Sequence, residues 1–113
     1  MRTNHILFNL ENDIALLRRI QKSLHISNRT IEDTLRIFMY ACDLHPSKNH
    51  KAVNLLAASL CIAAKNSFES VTLLQISNAF GVSKFRIFEV QKRILLYIIP
   101  EMKHSLSHPG DIN

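Results

Sequence analysis

Ala52-Val53-Asn54-Leu55-Leu56-Ala57-Ala58-Ser59-Leu60-Cys61-Ile62-Ala63-Ala64-Lys65-Asn66 is the stretch whose reading decides the fold. It is too long for an ordinary strand and holds no Gly or Pro, so helix is the natural reading. Around that helix the apolar residues leave no polar side: Val53, Leu55, Leu56, Leu60 and Ile62 are interleaved with Ala57, Ala58, Ser59, Ala63 and Ala64. A helix without a polar face must be enclosed by protein. Its small side chains let neighbours approach near the short end of the usual ~8–10 Å interaxial range. The apolar segment is too short to span a bilayer, which takes roughly 20 residues. The reading is a buried axle with amphipathic helices packed around it.

Working outward, the spacing predicts four such partners. The first runs from about Glu11 to Leu24, with Ile14, Leu17, Ile20 or Gln21, and Leu24 on one face. Ser27 suits the N-cap of the second, which carries Ile31, Leu35, Phe38 and Cys42 at helical spacing and should stop at Pro46. A polar, basic loop, Pro46–Lys51, then leads into the axle. Thr72 with Gln75 three residues on forms a capping box for the fourth helix, which Gly81 ends. Ser83 caps a fifth, expected over Lys84 to Ile99 and closed by Pro100. One domain is therefore expected over residues 7–102, followed by a frayed tail, 103–113, rich in Ser, His, Pro and Gly.

The totals agree with this reading. An apolar share of 47% marks a chain that buries a core, and two Gly with three Pro are too few for a turn-rich β protein. Cys42 and Cys61 lie within apolar runs, where isolated cysteines behave as small hydrophobes of a reducing compartment. Asn9, Glu11 and Asp13 interrupt the early apolar residues, so a secretory signal is not expected. An intracellular protein follows, without a membrane partner: nuclear in a eukaryote, cytoplasmic in an archaeon, within the host cell for a virus. The formal net charge of +5 favours polyanions or acidic protein faces as partners.

That charge has one candidate focus. The fourth and fifth helices are joined by the short turn Gly81-Val82-Ser83, and Leu73, Ile76, Phe80, Val82, Ile87 and Val90 fall where a helix-turn-helix buries its apolar residues. The start of the fifth helix offers N–H groups to a phosphate, with Lys84 and Arg86 beside them and Lys92 and Arg93 further along. The competing reading of these cations is a solvated basic face.

Several segments together resemble a core repeat of the transcription factor IIB family. Leu56 to Lys65 looks like that repeat's Ala- and Cys-rich third helix, ending in Leu-x-Ile-Ala and a basic residue. Thr72-Leu73-Leu74-Gln75-Ile76 resembles its threonine-initiated fourth helix, and Val82-Ser83-Lys84 with Ile87 the start of its fifth. Ile26-Ser27, Ile31-Glu32, Thr34 and Phe38 resemble the start of its second. The resemblance covers about Ile14 to Leu96. It implies an all-α fold, a five-helix cyclin-like bundle with a central buried third helix and a helix-turn-helix-like pair from helices four and five. It also implies a DNA-associated transcription factor or regulator, holding double-stranded DNA mainly by its backbone, with a TATA-binding protein or an RNA polymerase component as further partners. Lys48 and His50 fall in the family's basic loop between helices two and three, and Lys51, which ends that loop in this sequence, is a further DNA-facing candidate. Lys65 matches the basic residue after helix three, and Lys84 a basic position at the start of helix five.

The departures matter equally. Phe85 and Phe88 stand where the family shows polar or small residues, and exposed aromatics suit a protein interface. The sequence holds neither the family's zinc ribbon nor a second repeat, and a lone box invites a homodimer or recruitment by another protein. The alternative function is thus a cyclin-like adaptor that docks a kinase, a polymerase subunit or itself through Phe85, Phe88 and neighbouring apolar surface without touching DNA; Phe8 is a further candidate, and for all three rings core or half-buried packing is the more ordinary reading. Cys42, His45, His50 and Cys61 match no usual zinc spacing, so neither metal nor other cofactor is expected. Glu32–Asp33 suits the first turn of a helix, and no nucleophilic or acid–base constellation points to an enzyme.

Overall fold

The computed structural model describes the backbone of residues 2–44 and 52–103 and the side chains of residues 11–42 and 52–103. Helix α1 spans Arg2–Leu24, α2 Asn28–Leu44, α3 Ala52–Asn66, α4 Leu73–Phe80 and α5 Lys84–Arg93. The described residues are all-helical apart from their turns. Helix α3 touches each of the other four. Every residue from Leu55 to Ala64 is buried, and Lys65 marks the return to solvent.

The partners bury one face each. Leu17 and Ile20 of α1 and Ile31, Ile37, Phe38 and Ala41 of α2 join the α3 core, as do Ile76 and Phe80 of α4 and Ile87 and Val90 of α5. The buried face of α2 is turned slightly from the one its large apolar residues suggest, since Leu35 and Cys42 are half-buried while Thr30 and Thr34 are fully enclosed. Thr34 makes this tolerable by donating its hydroxyl to the Thr30 carbonyl at 2.7 Å. Cys61 is buried and Cys42 half-buried, and no disulfide joins them. Burial pushes the Cys61 thiol up to about 11, against a smaller opposing pull from Lys65. No described helix is long and apolar enough to cross a membrane.

Two boundaries differ from the sequence expectation. Helix α1 starts at Arg2, not near Glu11; the preceding residues hold no Gly or Pro to stop it. Pro100 does not close α5. After Arg93 the helix widens into a π-helical segment, Ile94–Ile98, and stays helical over 99–103. The Ile99 N–H reaches back five residues to the Ile94 carbonyl. The wider turn accommodates a proline ring that would clash with the carbonyl four residues back in an α-helix, and Pro100 has no N–H to satisfy. The extension buries Ile94, Ile98 and Met102, and the Tyr40 hydroxyl of α2 donates to the Glu101 carbonyl at 3.3 Å. Lys103, expected in the tail, belongs to this helix.

Helices α1, α3 and α4 end alike, each with a left-handed residue and a hydrogen bond that closes six residues. His25 (φ 56°) follows α1, Phe68 (φ 58°) follows α3 and Gly81 (φ 69°) follows α4. The closing bonds run from Ile26 N–H to Gln21 O, Glu69 N–H to Ala64 O and Val82 N–H to Ser77 O. In such caps the residue after the left-handed one normally tucks an apolar side chain under the helix, as Ile26 does. After α3 that position is Glu69, whose carboxylate instead crosses to the start of α2. Its Oε2 accepts from the Ser27 N–H at 3.1 Å, the Ser27 hydroxyl at 2.7 Å and the Thr30 hydroxyl at 2.6 Å. The Thr30 hydroxyl, then that of Ser27, hold this carboxyl below its ordinary range. A negative charge at a helix N-terminus is favoured besides. The clamp joins segments about forty residues apart in the chain.

Candidate nucleic-acid interface

The α4–α5 hairpin is fixed by polar contacts at the start of α4 and at both ends of the turn. Thr72 Oγ1 accepts from the Gln75 N–H at 3.1 Å and Gln75 Oε1 accepts from the Thr72 N–H at 2.8 Å, the reciprocal box expected for these residues. The Gly81 N–H bonds to Ser77 O at 2.9 Å, and the Ser77 hydroxyl donates to the Val82 carbonyl at 2.6 Å. Ser83 Oγ then accepts from the Arg86 N–H at 3.1 Å and starts α5. Beneath the turn Ile76, Phe80, Ile87 and Val90 are buried, with Leu73 and Val82 half-buried against them. All six residues expected inside this pair of helices are thus buried or half-buried. Capping by Ser83 leaves the N–H groups of Lys84 and Phe85 without an intrahelical acceptor.

In α5 Ile87 and Val90 are buried and Gln91 is half-buried, and the remaining residues are exposed. Lys84, Arg86, Lys92 and Arg93 are all exposed there. Among the described residues the one ion pair is Arg36 with Asp33 at 2.7 Å; Glu89, exposed on α5, stands three or four residues from Arg86, Lys92 and Arg93 without closing an ion pair, so α5 carries four cations against one carboxylate. Phe85 is 71% and Phe88 52% exposed, so neither ring is the core residue that its size suggests, because Ile87 and Val90 occupy the inward side of the helix. The Lys92 ammonium sits 5.5 Å from the centre of the Phe88 ring, a cation–π distance. The structure thus brings six of the sequence-derived candidates onto the exposed surface of one helix. Lys65 is exposed on a different element, the C-terminal end of α3. Lys48, His50 and Lys51, with the whole Pro46–Lys51 loop and His45, lie outside the described residues, as does the Phe8 side chain.

Other features of this surface had no clear signal in the sequence. The π-helical turn leaves Leu95, Leu96 and Tyr97 about half exposed or more, prolonging the aromatic and aliphatic character of the α5 face. Phe68 is 93% exposed in a left-handed conformation that disfavours a side chain. Among the described residues no three His, Cys, Asp or Glu side chains gather as a metal site would require. No protein-family model, curated protein or solved structure matches the chain.

Proposed function

We propose that the chain is a DNA-associated transcription regulator, a single cyclin-like box akin to one core repeat of transcription factor IIB, that holds the DNA backbone through α5. The observation that carries this reading is the excess of Lys84, Arg86, Lys92 and Arg93 over the single carboxylate Glu89 on the exposed surface of the Ser83-capped α5. Cations gathered in this way displace counterions from phosphates, and the free N–H groups at the helix start add to the pull. The enclosed α3 supports the kinship, because that helix carries the densest part of the sequence resemblance. A TATA-binding protein or polymerase component is the protein partner the kinship suggests.

Binding of duplex DNA by the full chain, followed by gel shift across a salt series, tests the proposal. Affinity should fall steeply with salt, and Lys84→Ala with Arg86→Ala should weaken binding on all sequences alike while flattening the salt slope by about two. Absence of any complex at low salt, with and without a TATA-binding protein, would overturn it.

The exposure of Phe85 and Phe88 favours a second reading, an adaptor that docks a kinase, a polymerase subunit or another copy of the chain. That association would tolerate salt and be lost in Phe88→Asp.

A further inference from the structure

We infer that the outer face of α5 is a stacking platform for unpaired bases, so that the nucleic acid it takes is single-stranded or locally opened rather than an undisturbed duplex. The inference rests on the nucleic-acid reading above and names the form of the ligand. It starts from the one property of this face that duplex binding does not use. Phe85 and Phe88 project from the same side of the helix, three residues apart, which sets their Cβ atoms about 5–6 Å from each other. Both rings are largely in water. Lys92, one turn beyond Phe88 on that same side, holds its ammonium at 5.5 Å from the Phe88 ring. Lys84 lies on one margin of the stripe, and Arg86 and Arg93, seven residues apart, share the other. Tyr97, 59% exposed, lies one turn beyond Arg93 on the π-helical continuation of α5.

Exposed aromatics interleaved with cations are what single-stranded nucleic acid requires: a ring for each base and a charge for the phosphate beside it. In a duplex the bases already stack on one another, and a protruding phenyl ring meets only phosphate and groove edges. A second copy of the chain is disfavoured on the same face, since packing α5 on α5 would oppose two helices that each carry four cations against the one carboxylate of Glu89. Charge complementarity therefore selects a polyanion, and the rings select one whose bases are free.

The test compares the full chain with a fluorescent oligothymidylate and a duplex of equal length, using the wild type, Phe85→Leu and Phe88→Leu. Leucine keeps an apolar side chain but removes the π-face. The single strand should bind more tightly than the duplex, and each leucine should cost the single strand about tenfold in affinity with little change for the duplex. Phe88→Trp should keep binding and show its emission quenched by the oligothymidylate, a direct sign of stacking. Leucine variants that bind the single strand as well as wild type, or tryptophan emission that does not respond, overturn the inference. If duplex binding survives in that result, the proposed function stands without it; no binding of either nucleic acid at low salt removes both. A wild-type dimer that Phe88→Leu converts to monomer, with single-strand affinity unchanged, would assign the face to a second copy instead.

Discussion

Replacing Glu69 by Gln removes a charge from the clamp between the α3–α4 turn and the start of α2 while keeping an acceptor oxygen of the same shape. In the wild type one carboxylate oxygen takes three hydrogen bonds, the shortest from Thr30 at 2.6 Å, and Thr30 is fully buried. Hydrogen bonds to a charged group contribute about 1.5–3 kcal/mol, roughly twice a neutral one. Solvent around the half-exposed carboxylate screens part of that gain, so Glu69→Gln should cost about 1 kcal/mol. Glu69→Ala, which strips the Thr30 hydroxyl of its acceptor, should cost about 2 kcal/mol. The pH dependence follows from the lowered carboxyl pKa of the folded chain. Below the ordinary glutamate value of about 4.3, the unfolded chain takes up a proton that the folded chain still refuses. Stability from this group is therefore complete above that value and is lost as the pH falls through the lower folded one. Urea unfolding followed by circular dichroism, near neutral pH and again at about pH 3, should show a Glu69→Gln deficit that shrinks in acid. Equal stability of the two proteins at neutral pH, or a deficit that does not shrink, would refute the clamp.

Three further substitutions probe the packing by the same unfolding assay. Phe68→Gly should raise stability by about 0.5–1 kcal/mol, because a left-handed residue with no Cβ is unstrained and the ring is too exposed to contribute burial; a loss would contradict the strain. Ser59 Oγ is buried in α3 without a hydrogen-bond partner, so Ser59→Ala should be neutral or stabilising by about 1 kcal/mol, and a clear loss would mean the hydroxyl has a partner. Leu60→Ala, at a fully buried position of α3, should cost about 2–5 kcal/mol; a cost typical of a surface site would remove α3 from the centre.

What the sequence shows and hides follows from the range of the interactions involved. Helix α3 is legible because its whole circumference is apolar, a local pattern that admits one environment. The capping box of Thr72 and Gln75 and the Ser83 cap are legible for the same reason, since both partners lie within one turn. The Glu69 clamp is not, because Ser27 and Thr30 are brought to it by the tertiary fold. Pro100 misleads because the local rule for proline assumes an α-helix, whereas the chain relieves the clash by inserting a π turn, driven by burial of Ile94, Ile98 and Met102 against the bundle. At the candidate site the cations of α5 are readable from composition and spacing. Ile87 and Val90 set the phase of the helix and turn Phe85 and Phe88 away from α3; whether another element then covers the two rings is decided by the tertiary fold, which leaves them exposed.

Amide chemical-shift mapping of the isotope-labelled chain, titrated with oligonucleotide, addresses the functional claim most directly. The account predicts that the resonances that move cluster in α5, at Lys84, Phe85, Arg86, Phe88 and Lys92, with α1 and the α2 residues around Arg36 left in place. Perturbations centred on α1 or α2 with α5 silent, or no perturbation at low salt, would contradict it.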